Sequence, residues 1–160
     1  ISESVFGDSI ATAKAIQCIA ITVYLEGGIA SRADQRNVAI VTIKRAMDSQ
    51  WSDHPCDVIL EKRQYQPFAK KANRQLIATV KGGDLHAKVN FKNLSSEELK
   101  FDKIRDMVSA MVYHAEKLPE IYYFYSPAAM PEGWARPVFA IDANLVGQSK
   151  HFSFYGRGDV

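Results

Sequence analysis

Several things are scarce in this chain, and each scarcity excludes something. Only two cysteines occur, Cys18 and Cys56, and neither belongs to a C-x-x-C pair. The four histidines, His54, His86, His114 and His151, show neither H-E-x-x-H nor any other close metal-ligand spacing. No Gly-rich phosphate loop and no G-x-S-x-G elbow appears, so nucleotide-dependent and serine-hydrolase chemistry lack their signatures. No cofactor and no metal are expected. No apolar run approaches the roughly 20 residues of a membrane span, and no basic leader with a small-residue cleavage site precedes the first helical pattern. The expected chain is a mature or excised domain without an integral membrane segment. Excess charge is lacking too. Lys and Arg number 20 against 18 for Asp and Glu, a net charge of +2, which does not mark a nucleic-acid or membrane-surface protein.

At 160 residues the chain is expected to form one domain around a single core, and needs no disulfide or metal to hold it. The two cysteines are read as small buried hydrophobes rather than a pair. Asp8 and Ser9 can cap a helix over 10–26 carrying Ile16, Ile19, Ala20, Val23 and Tyr24 at helical spacing, with Gly27 and Gly28 as its stop. Ser31-x-x-Asp34 has capping-box spacing before "NVAIVTIKRAM", which is apolar on most faces and so expected to run through the centre of the domain. "CDVILEK" reads as a short helix, and 67–94 as a helix followed by a loop with a turn at "KGGD". Ser95-x-x-Glu98 announces a third long helix, striped by Ile104, Met107, Val108, Met111, Val112 and Ala115. From Ile121 onward "IYYFYSP", "RPVFAID" and "KHFSFY" are aromatic and β-branched runs that read as a small antiparallel sheet. Helices first and strands last give an α+β class.

One acid stands out. In "VYLEGGIAS" Glu26 closes an apolar run and precedes two glycines. A glutamate there is compatible with a plain solvated helix end. Yet the negative end of a helix dipole and apolar neighbours both raise a carboxyl pKa, and a carboxylic acid that stays protonated near neutrality is what a general acid requires. The aromatic residues Tyr122, Tyr123, Phe124, Tyr125 and Trp134 belong first to sheet and core. Alternation along a strand turns half of them to the opposite face, where sugars can be held, with Gln64, Tyr65, Gln66 and Ser126 as polar partners.

Taken in order, "VYLEGGIASRADQRNVAIVTIKRAMDSQWSDHPCDVILEKRQYQPF", "YYFYSPAAMPEGWARPV" and "KHFSFY" resemble the SleB-type cell wall hydrolases, the spore cortex-lytic enzymes and their bacterial and phage relatives. The carrying features are the Glu-containing helix end, a V-A-x-V-x-x-x-R helix, an x-C-x-V-I segment, a Tyr-Tyr-x-x-x-Pro strand and a final His-x-Phe. The resemblance implies a mainly helical, lysozyme-like α+β domain with a small C-terminal sheet, acting on the bacterial cell wall. The implied reaction is cleavage of peptidoglycan glycan strands between N-acetylmuramic acid and N-acetylglucosamine, with Glu26 as the catalytic acid. Tyr65, Gln66, Tyr123, Tyr125, Trp134 and His151, with Gln64, are the substrate-cleft candidates. Family members commonly carry Glu-Ala-Arg-Gly-Glu where this chain has Glu26-Gly27-Gly28-Ile29-Ala30, so the second acid is replaced by Ala30.

Hydrolysis needs two carboxyl groups, and Glu61 and Asp34 are the acids that the fold can bring near. A lytic transglycosylase needs one, which makes it the sharper expectation for a monomer acting on glycan strands. A muramidase and a non-catalytic wall-binding module are the alternatives. A nucleic-acid partner rests only on the basic 69–92 stretch and is not expected. The 69–104 segment is expected to form a lobe beside the cleft, with Lys70, Lys71 and Arg74 on a basic face.

Overall fold

A computed structural model describes residues 4–27, 30–61 and 65–158. Among the described residues five α-helices precede a three-stranded sheet, an α+β arrangement. Helix α1 (Ser9–Gly27) starts where the Asp8 carboxylate accepts from the Ala11 N–H at 3.0 Å. Every residue from Ala15 to Val23 is buried, so α1 is enclosed on all sides rather than amphipathic. It packs against α2 (Arg32–Ala46), α3 (Pro55–Leu60), α4 (Lys71–Lys81) and α5 (Ser95–Val112). Gly27 is still helical, and Gly28 lies outside the described residues.

Helix α2 is central, as its apolar sequence predicts. Ser31 caps it by accepting from the Asp34 N–H at 3.1 Å, and residues 38–46 are all buried, Lys44 and Arg45 included. Ser95, in contrast, makes no cap. Leu94 holds that position with no side-chain hydrogen bond, and Glu98 pairs with Lys88 instead. The α5 stripe packs into the core as expected, through Ile104, Val108, Met111 and Val112.

The cysteines differ from expectation. Cys18 of α1 and Cys56 of α3 form a disulfide. The helical pattern showed each as an apolar position but not that α3 folds back across α1, where it places the two residues side by side.

Strand β1 (Tyr123–Tyr125) and β2 (Leu145–Gln148) both pair antiparallel with β3 (Ser153–Tyr155), giving the order β1-β3-β2. Two of the three expected runs supply strands. "RPVFAID" does not: Pro137 has no N–H for a ladder, the segment closes on itself through Ala140 N–H to Pro137 O and Ile141 N–H to Phe139 O, and Val138 is exposed. Its place is taken by "LVGQ", an edge strand with a register shift between Leu145 and Gly147. Ser149, in the β2–β3 connection, donates to the Asp34 carboxylate at 2.8 Å and so ties the sheet to the first turn of α2.

Candidate active site

Glu26 sits in the last turn of α1, partly buried, two residues after Tyr24. Tyr24 anchors that turn. Its hydroxyl donates to Glu97 of α5 at 2.7 Å, and burial, reinforced by Glu97, pushes its pKa up to about 12, so it remains a neutral donor. Burial likewise raises the Glu26 carboxyl from its ordinary 4.5 to about 7, against the lowering pull of the Arg45 guanidinium.

Arg45 is the residue around which the site is organised. It is 3% exposed, at the C-terminal end of the buried stretch of α2, and its Nε donates to the Tyr122 carbonyl at 2.8 Å. Three rings enclose the guanidinium, those of Trp51 and Tyr65 with centroids at 5.4 Å and that of Tyr123 at 5.6 Å. Such cation–π contacts strengthen where water is excluded. Tyr65, also 3% exposed, shares a 2.8 Å hydrogen bond with Thr42 one turn back along α2. Burial raises its pKa, Arg45 lowers it, and the Glu26 carboxylate raises it again. Glu26, Arg45 and Tyr65 thus form one electrostatic unit.

Beyond Arg45 the aromatic face continues. Tyr123 stacks on Phe139 at 4.9 Å, Tyr125 meets the edge of Phe139 at 6.0 Å, and Tyr125 stacks on Tyr155 at 6.2 Å. Phe124, on the opposite face of β1, packs against Tyr65, Phe152 and Phe154. The alternation along β1 therefore divides its rings, with half-buried Tyr123 and Tyr125 on the Phe139 side. No family model, curated protein or solved structure matches this chain.

That geometry sorts the expected residues. Glu26, Tyr65 and Tyr123 are linked through Arg45, and Tyr125 joins them by way of Phe139. Tyr65 needs correction: buried and bonded to Thr42, it forms the floor under Arg45 and offers no free face to a sugar. Trp134 stands apart, 70% exposed on the segment after β1. His151 is half-buried in the β2–β3 connection, its N–H donating to the Ser149 hydroxyl at 3.2 Å. Ser126 is half-buried at the end of β1. Gln64 lies outside the described residues, as does the side chain of Gln66, whose backbone opens a short 3₁₀ turn. An open groove of about 600 Å³ bordered by Phe6, Met47, Asp53 and His54 contains none of these residues.

Both acids expected near Glu26 have other duties. Asp34 is buried and accepts from Ser149, while Glu61 accepts from the Ser52 N–H at 2.9 Å and its hydroxyl at 2.8 Å. Ala30 packs against the core. Of the basic trio, Lys70 and Lys71 are exposed, but Arg74 donates to the Leu60 carbonyl at 2.9 Å and closes the end of α3. Among the described residues no three His, Cys, Asp or Glu side chains converge as a metal site requires, and no helix is long and apolar enough to cross a membrane.

Sequence reasoning missed Arg45, Thr42 and Trp51 as site residues. The first had a signal. Two adjacent cations at the end of an apolar, central helix must find partners inside the fold: Lys44 finds Glu120 at 3.3 Å, and Arg45 finds the rings and Glu26.

Proposed function

We propose that this chain is a SleB-type, lysozyme-like lytic transglycosylase of peptidoglycan, cleaving between N-acetylmuramic acid and N-acetylglucosamine with Glu26 as acid and then base. The observation that carries this reading is a single carboxyl group held protonated near neutrality by burial, while Asp34 and Glu61 are committed to Ser149 and Ser52. A general acid works best with a pKa near the working pH. An aromatic face adjoining it through Arg45 suits the flat faces of a sugar chain.

In this mechanism Glu26 gives its proton to the glycosidic oxygen as the bond to the muramic acid anomeric carbon breaks. Arg45 favours the carboxylate so formed. The muramic acid 6-hydroxyl then closes onto the anomeric carbon and returns its proton to Glu26, leaving a 1,6-anhydro end and the enzyme as it began. No water is consumed and no second carboxylate is used, in keeping with Ala30 in the place of the family's second acid.

The disulfide between Cys18 and Cys56 supports action outside the reducing cytoplasm, at the cell wall. Mass spectrometry of sacculus digests tests the whole reading. The anhydro product is lighter by one water than the hydrolysed one, and Glu26→Gln abolishes its release. Products of hydrolytic mass make the chain a muramidase. Retention on sacculi with no release of soluble fragments makes it a wall-binding module.

A further inference from the structure

The aromatic face ends at a cation that the reaction above does not use. Arg136 lies in the proline-punctuated segment between β1 and β2, where Pro127, Pro131 and Pro137 limit backbone freedom. Its Nη2 donates to the Asp142 carboxylate at 3.0 Å and to the Tyr155 hydroxyl at 3.4 Å, and a further side-chain hydrogen bond joins it to Tyr125. Tyr125 and Tyr155 are the two rings stacked at the end of the Tyr123–Phe139 platform. The guanidinium is thus fixed in position, yet its side chain remains 55% exposed.

This is an unusual use of an arginine. A solvent-exposed pair with Asp142, itself 87% exposed, contributes little to stability. The donations to Asp142 and Tyr155 both leave from Nη2, and a guanidinium presents further N–H groups in a planar fork suited to a carboxylate. A ring platform bordered by such a fork fits a sugar that carries an acid.

We propose that Arg136 is a specificity-determining contact that binds a carboxylate on the sugar chain lying along the Tyr123–Phe139–Tyr125 face. Granted the glycan-strand reading above, on which this rests, the carboxylate is the lactyl group of N-acetylmuramic acid or the peptide extending from it. Asp142 holds the guanidinium ready when the site is empty. The sugar's carboxylate takes the outward N–H groups on binding.

Binding is tested apart from cleavage. In a Glu26→Gln background, calorimetric titration compares an oligosaccharide of alternating N-acetylglucosamine and N-acetylmuramic acid with the same oligosaccharide after reduction of its lactyl carboxyls to alcohols. The carboxylate form is expected to bind roughly tenfold more tightly, the range of one charge-assisted hydrogen bond. Arg136→Gln is expected to erase that preference while leaving affinity for the reduced form unchanged. Asp142→Asn, which removes the competing carboxylate, is expected to widen it, and gives an independent reading if the first variant folds poorly. Equal affinity for the two oligosaccharides, or a preference that survives Arg136→Gln, overturns the proposal. Carboxylate-dependent binding by an active-site-intact chain that cleaves nothing upholds the Arg136 contact and overturns the transglycosylase reading. Cleavage without carboxylate preference does the reverse.

Discussion

Arg45 and burial pull the Glu26 carboxyl in opposite directions, and burial prevails, leaving it at about 7. If the protonated acid starts the reaction, kcat/KM falls as pH rises through that value, following a single ionisation. Glu26→Gln is expected to lose activity by at least two to four orders of magnitude, the usual contribution of general acid–base catalysis. A rate that stays flat from acid to alkaline pH would show that the proton comes from elsewhere.

The same shift has a consequence for stability. The folded chain keeps the Glu26 proton between about 4.5 and about 7, whereas the unfolded chain releases it near its ordinary value of 4.5. The folded state binds more protons in that window, so stability is highest below it, falls as pH rises through it and levels off above. Gln cannot ionise. The thermal midpoint of Glu26→Gln is therefore expected to match wild type in acid and to exceed it increasingly up to neutrality. A difference of constant size at all pH values would show that the carboxyl does not titrate as described.

Arg45 lowers the Glu26 pKa, so replacing it moves the activity limb upward. Arg45→Met removes the charge but keeps a long apolar side chain among the Trp51, Tyr65 and Tyr123 rings. The pH at which activity declines is expected to rise, and stability to fall by about 1–3 kcal/mol as the Tyr122 carbonyl loses its donor. Arg45→Lys, still cationic, is expected to keep the limb near its original pH. Stability loss alone, with an unmoved limb, would reduce Arg45 to a packing residue.

How much of this was legible from residues alone depended on the range of the interaction. The α1 and α2 boundaries, the α5 stripe and the strands at Tyr123 and Ser153 followed from spacing and caps, because those signals are local. "LVGQ" escaped notice as a strand because Leu145 and Val146 are both exposed, with no alternation to read. "RPVFAID" misled because its apolar residues serve a loop. In the site, Glu26 was visible as an anomaly in one helix, and Tyr123 and Tyr125 as alternate positions of one strand. Arg45 and Thr42 were not, since their partners come from Tyr122 and Tyr65, far along the chain, and Cys18 meets Cys56 only once α3 has crossed α1.

Tyr65 holds the floor of the site through its hydroxyl. Tyr65→Phe deletes the 2.8 Å bond to Thr42, whose own hydroxyl keeps a 3.2 Å bond to the Val38 carbonyl. Because Thr42 keeps the Val38 carbonyl and Arg45 keeps the Tyr122 carbonyl, the expected cost is modest, about 1 kcal/mol by urea denaturation. Thr42→Val is expected to cost more, since the buried Tyr65 O–H loses its acceptor while its oxygen keeps only the Arg45 guanidinium. A double-mutant cycle separates the two, and a coupling energy near zero would mean that the bond contributes nothing to the fold.

The disulfide joins α1, which carries Glu26, to α3 across 38 residues of sequence, and both sulfurs are fully buried. Closing a loop of that length restricts the unfolded chain, a stabilisation of about 2–4 kcal/mol for typical bridges. Cys18→Ala with Cys56→Ala is expected to lower stability by that amount, yet to leave the Glu26 pH limb where it was, because Tyr24 anchors the Glu26 turn to α5 and Arg45 belongs to α2, neither of which the disulfide joins. Reductant added to the folded protein is expected to act slowly, at a rate that tracks unfolding, since no thiolate can reach the bridge from solvent. Rapid reduction under native conditions, followed by thiol labelling without loss of helical signal, would show instead that α3 lifts from α1 on its own.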